Sequence, residues 1–103
     1  VKYDQFFLSY SGVALPLNLV SEITPDGVEN RNTYFGACVD DAGRLTLIHK
    51  VVYGEVEMSH RYEYAPEGWL KRAEIINADD EGRRLLFDAD GKIVAQEAFD
   101  VAD

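Results

Sequence analysis

The chain has 103 residues, enough for one domain with a single modest core, and its 47% hydrophobic and 28% charged residues exclude a disordered protein. Nineteen acidic residues against ten basic ones leave a net charge of −9, which repels phosphate backbones; no basic run exceeds Lys71-Arg72 or Arg83-Arg84, so nucleic acid is not an expected partner. The lone cysteine, Cys38, excludes an internal disulfide and a cysteine-based zinc site, and it favours a reducing compartment.

Helical spacing is scarce and period-2 alternation is common, with β-branched and aromatic residues collected between Gly-containing turns. Strands are predicted over 3–10, 14–23, 33–40, 44–52, 55–64, 69–77, 83–88 and 92–99. The first two fall in "FFLSYSGVALPLNLV". Asp4, Ser9, Ser11 and Pro16 break the layout of a secretory leader, no small-residue cleavage site follows, and the run is too short to span a bilayer. A soluble cytoplasmic protein with no membrane partner is expected, its N-terminus trimmed because the chain starts at Val1 rather than Met. "SYSG" lacks the Gly-x-Ser-x-Gly elbow of hydrolases and reads as a hairpin turn. The one long connection, "TPDGVENRN" (24–32), is rich in turn residues and has room for a short helical turn. Cys38 is placed mid-strand on a face with Tyr34 and Gly36, with no base adjacent in sequence, so it reads as an inert thiol. Tyr34, Tyr53 and Trp69 are strand formers that could also present an aromatic patch to a partner.

The stretch "RLTLIHKVVYGEVEMSHRYEY" (44–64) holds the only histidines, His49 and His60. A two-residue turn at Tyr53-Gly54 pairs Val52 with Glu55, Val51 with Val56, Lys50 with Glu57 and Arg44 with Glu63. One face then carries Leu45, Leu47, His49 and Val51 against Val56, Met58, His60 and Tyr62, while opposite charges meet across the other. Continued through the "APEG" turn with Ala65 opposite Trp69, the same register sets His60 against Glu74 and Tyr62 against Arg72. His49, His60, Tyr62, Arg72 and Glu74 would thus share a face as a candidate ligand-binding cluster. Two readings are open. His49, His60 and Glu74 could ligate a divalent metal or form an acid–base pair, with Arg72 holding an anion. Alternatively the cluster is a set of satisfied polar groups, with His60 bonded to Glu74 and Tyr62 stacked near Arg72. No catalytic residue is assigned and no cofactor is implied.

Three segments repeat one pattern: "VDDAGRL" (39–45), "YAPEGWL" (64–70) and "FDADGKI" (87–93). Each reads as a type I turn closed by a left-handed glycine, at Gly43, Gly68 and Gly91. These turns resemble those of tyrosine–aspartate (Rhs-type) β-hairpin repeats, a resemblance that implies architecture and no activity. Across the whole chain, "SYSGVALPLNLV" (9–20), "NRNTYF" (30–35), "KVVYGEVE" (50–57) and "HRYEY…LKRAEI" (60–75) resemble a family of small bacterial proteins of uncharacterised function, which implies no cofactor or catalytic residue.

The fold expected is all-β: one antiparallel up-and-down meander of about eight short strands, barrel-like or two-layer, with G1-bulge hairpin turns. Strand 1 or strand 8 would be an open edge, giving a monomer or an edge-strand homodimer. For function the sequence leans away from an enzyme, since no catalytic constellation is present. The leading expectation is a binding protein, in its most concrete form an immunity- or inhibitor-type partner of a basic protein. The alternatives are a small-ligand carrier with its pocket in a barrel mouth, and a metal-dependent enzyme built on His49, His60 and Glu74.

Overall fold

The computed structural model describes residues 1–101. In chain order it has β1 (Gln5–Ser11), β2 (Asn18–Ile23), α1 (Pro25–Val28), β3 (Thr33–Val39), β4 (Leu45–Val52), β5 (Glu55–Tyr64), β6 (Leu70–Ile76), β7 (Glu81–Phe87) and β8 (Ile93–Asp100). The eight strands form a single sheet in the order β2-β1-β3-β4-β5-β6-β7-β8, every neighbouring pair antiparallel. The all-β up-and-down architecture is therefore as expected, and the sheet is open rather than closed into a barrel. Its edges are β2 and β8, not strands 1 and 8, because β2 folds back outside β1 and the α1 connection returns the chain to the other side of β1. No helix among the described residues is long and apolar enough to cross a membrane.

One face of the sheet, the core face, carries the buried row Phe35, Ile48, Tyr62, Ala73 and Leu85 from β3 to β7. The chain covers that row with its own N-terminal hairpin. Tyr10 at the end of β1 sets its ring edge-on to Phe35, 5.6 Å between centroids, and Leu17 packs into the core beside Phe7, Leu15 and Leu19. Residues 14–17, predicted as strand, are a loop, with a cis Leu15–Pro16 bond. To bury Leu17 against Tyr62 the loop must reach over β3 and β4, which is incompatible with pairing alongside β1.

The repeated turns form as read, with φ of +81° at Gly43, +103° at Gly68 and +85° at Gly91, where a Cβ would be strained. A side-chain network builds the first and third, whereas the second has Ala65 at the capping position and closes on backbone hydrogen bonds alone. Asp40 Oδ1 accepts from the N–H groups of Ala42 and Arg44, and Asp88 Oδ1 accepts from those of Asp90 and Lys92, all at 2.9–3.0 Å. Asn77 does the same for Asp79 and Glu81, making a fourth copy in which Asp80 takes the left-handed position at φ +59°. Asp is one of the few residues that tolerates this conformation, and without a glycine the copy escaped the sequence pattern. A local network of this kind suffices to bring hairpin turns to a common sequence.

Bulges overturn the predicted register. Tyr53 (φ +49°) and Gly54 (φ +81°) form the expected tight turn, and Val52–Glu55 and Val51–Val56 pair as predicted. The register then shifts at a bulge, and Lys50 faces Met58, His49 faces Ser59, Ile48 faces His60 and Leu47 faces Arg61. Leu47 and His60 therefore lie on opposite faces, and Lys50–Glu57 and Arg44–Glu63 are not pairs. A second bulge follows the Ala65–Trp69 turn, so that Glu63 meets Arg72, Tyr62 meets Ala73, Arg61 meets Glu74 and His60 meets Ile75. The physical cause is two-sided burial. Leu47, Ile48, His49 and Val51 of β4 are all under 9% exposed, so alternation along β4 does not say which set faces the core.

Candidate functional site

The five residues that the sequence groups together are separated by the sheet into three places. His60 and Tyr62 lie on the core face, each under 9% exposed. The backbone N–H of Leu17 donates to the Tyr62 hydroxyl at 3.1 Å, and that hydroxyl lies 2.7 Å from His60 Nδ1. The two groups share one hydrogen bond, whose direction follows the tautomer of the imidazole. Burial pushes the His60 pKa down to about 4, and burial likewise pushes the Tyr62 hydroxyl up to about 12. The pair is a clasp for the covering loop, and neither group is poised to exchange protons near neutral pH.

His49 lies on the opposite, outer face. Its Nδ1 is 2.7 Å from the hydroxyl of Tyr3, whose ring packs over Gly36; a Cβ at Gly36 would fall 2.6 Å from that ring. Glycine is required there because an aromatic ring lies flat against the strand. Burial lowers the His49 pKa, and the positive charges of Arg61 and the N-terminus lower it further. Burial also raises the Tyr3 hydroxyl pKa.

Arg72 and Glu74 are on the outer face too, in the half-exposed ion-pair network of β5 to β8. Successive pairing sets Arg61, Glu74, Arg84 and Glu97 in one row across four strands, with Glu63 and Arg72 in the next. Glu74 Oε2 takes Arg72 at 3.4 Å and Arg84 at 3.1 Å, and Arg84 also pairs with Glu97. The only candidate residues the structure brings together are thus His60 with Tyr62 and Arg72 with Glu74. His49, His60 and Glu74 do not converge, and among the described residues no group of three or more His, Cys, Asp or Glu side chains could hold a metal ion. Cys38 stays on the outer face, its thiol 3.5 Å from the Lys2 carbonyl. Tyr34, Tyr53 and Trp69 are likewise dispersed, on β3, at the β4–β5 turn and at the opposite end of the sheet, so they form no joint patch.

A groove that the sequence reading missed lies between the covering loop and the β5–β6 and β7–β8 turns, at the end of the sheet they share with the β3–β4 turn. It encloses about 640 Å³, with Leu15 and Pro16 of the covering loop on one side and Tyr64, Trp69, Phe87 and Ile93 opposite. Asp88 and Asp90 are its charged lining residues. The sequence signal was present in "VALPL" (13–17), an apolar run too hydrophobic for an ordinary hairpin loop, and in Trp69 directly after the turn glycine. Beside the groove, Arg44 holds its guanidinium 4.9 Å from the Tyr64 ring centroid and its Nε 2.9 Å from Asp40. Hydrogen bonds from the Arg44 backbone, ahead of its side chain and Ala42, keep the Asp40 carboxyl below the usual carboxylate range.

The chain belongs to a family of unknown function, DUF6156, which matches residues 2–96. No curated protein and no solved structure matches it. The match runs from the segment that covers the outer face to the middle of β8, so it takes in both histidine clasps and the groove.

Proposed function

We propose that this DUF6156 member is a non-catalytic binding protein whose partner is a basic protein, in the manner of an inhibitor or immunity-type protein. The observation that carries the reading is the distribution of charge at the turn end of the sheet. Asp41, Glu67, Asp88 and Asp90 stand on three turns brought side by side, against two cations on those turns, Lys92 and Arg44, of which Arg44 is already paired with Asp40. Carboxylates fixed on rigid hairpins cost little entropy to present, and they steer a basic partner in over distances of about 8–10 Å at physiological salt. The histidines support the same reading, since both are buried, capped by tyrosine hydroxyls and shifted away from neutral pH. We also place the protein in the cytoplasm, on its single free thiol. β8 is the edge on which a second copy would pair.

A small-ligand carrier is the second reading. No barrel mouth exists to hold its pocket, but the groove's volume of about 640 Å³ falls within the range of roughly 300–1,000 Å³ typical of ligand sites. The two readings part in one experiment. Immobilised protein is exposed to source lysate at about 0.15 M salt, and whatever is retained is purified and recombined with it. A stoichiometric complex with a basic protein, weakened by added salt, is expected. A retained small molecule with no protein would favour the carrier, and a retained acidic protein or nucleic acid would contradict the proposal.

A further inference from the structure

We infer that the groove between the covering loop and the β5–β6 and β7–β8 turns is the docking site, and that it takes an arginine or lysine side chain together with a neighbouring apolar residue from an extended basic segment of the partner. This rests on the proposed binding function and gives it a location and a ligand chemistry.

Three features of the groove select that occupant. Its walls are apolar and aromatic, which suits an aliphatic side chain and the methylene stem of a long cation. Its charged lining residues are both carboxylates, and no lysine or arginine lines it. Asp88 uses Oδ1 to cap its turn, so Oδ2 remains to accept from a ligand, and Asp90 makes no ion pair among the described residues. Finally, the protein binds one of its own cations this way a few residues off. Arg44 lies over the Tyr64 ring with its Nε on the Asp40 carboxylate and one terminal nitrogen 3.7 Å from where a Cβ at Gly68 would stand. Trp69 of the β5–β6 turn and Asp88 and Asp90 of the β7–β8 turn line the groove together and offer the same pair of groups, an aromatic ring and a carboxylate. A fully apolar ligand would leave both carboxylates facing it without compensation, and an anionic one would be repelled.

Trp69 is the only tryptophan, so its fluorescence reports occupancy of the groove directly. The probe is a short unstructured peptide, Ser-Leu-Arg-Ser-Leu-Arg-Ser, compared with versions carrying Glu for Arg or Ser for Leu. Binding is followed by Trp69 emission and by amide shifts in the isotopically labelled full chain. The Leu/Arg peptide should perturb Trp69 and the amides of residues 13–16, 68–70 and 87–91, and each altered peptide should bind about tenfold more weakly or worse. The double variant D88N/D90N should lose a similar factor without unfolding, because Asn77 shows that an amide oxygen can cap this turn. Equal binding of the Leu/Glu peptide, or no loss in D88N/D90N, would overturn the inference. If the Leu/Arg peptide binds but perturbs amides elsewhere, the groove assignment falls and the basic-partner reading stands. If no basic peptide binds anywhere on the protein, both fall.

Discussion

The centre of the sheet and its C-terminal wing are built from the same kind of strand and behave in opposite ways. β4 at the centre is buried on both faces, under the Leu17 loop on one side and the Tyr3 segment on the other. β8 at the wing's edge is exposed along nearly its whole length, Phe99 alone being half-buried. In the wing the two faces differ in chemistry: Ala73, Ile75 and Leu85 face the core while Glu74, Arg84 and Glu97 form the ion row of the outer face. In the centre both sets are apolar, and the face a side chain takes is set by what covers it and by where the bulges fall. A residue's chemistry is thus read correctly from sequence only where one face of its strand is free.

The sharpest way to break this contrast is to shorten one apolar residue in each region. Ile48→Ala, at the fully buried centre, should cost about 2–5 kcal/mol in denaturant unfolding, whereas Ile93→Ala, at a position 49% exposed, should stay within about 0.5 kcal/mol. Equal losses would erase the distinction. Next in size is the pH dependence from the central clasp. His60 has a folded pKa of about 4 against 6.5 unfolded, so between those values the unfolded chain binds more protons. The stability that His60 contributes is complete above pH 6.5 and falls by about 3 kcal/mol as pH drops towards 4, a loss that His60→Gln should remove. A wild-type curve flat across that window would show that His60 is not held neutral.

Smaller effects distinguish the turns. Gly91→Ala, at φ +85°, should destabilise by about 1 kcal/mol, while Asp80→Gly, at φ +59°, should gain up to about 1 kcal/mol, both read from unfolding midpoints. Loss on both substitutions would mean that Asp80 owes its place to something besides turn geometry. Smallest of all, Arg84→Ala on the wing's outer face should cost under about 1 kcal/mol and less still at high salt, because its partner Glu97 is 65% exposed. A loss of several kcal/mol would mean the ion row is covered in solution.

The strand positions apart from residues 14–17, the α1 turn and the three glycine turns were legible in the sequence because each has a local cause, whether alternation, a cap or a left-handed glycine. The binding cluster was not. Its five residues depended on two registers, and a bulge in each moved every later partner by one, sending Glu74 to Arg61 and His60 to Ile75. A bulge leaves little trace in composition, because the extra residue need only tolerate a bend. Tyr62 was placed correctly beside His60, since residues two apart on a strand share a face whatever the partner strand does. The groove was out of reach because it depends on a loop crossing the sheet, which brings residues 13–16 opposite residues 68–70, a juxtaposition that no local pattern records.

The most direct measurement of the central claim, that the two histidines are separate structural clasps on opposite faces, is an NMR titration of both imidazoles in wild type, Tyr3→Phe and Tyr62→Phe. The expected result is that both titrate below 6.5, His60 near pH 4, with Tyr3→Phe moving only the His49 curve and Tyr62→Phe only the His60 curve. A response of both imidazoles to either variant, or a joint shift of both on adding stoichiometric Zn²⁺, would put them on one face and contradict it.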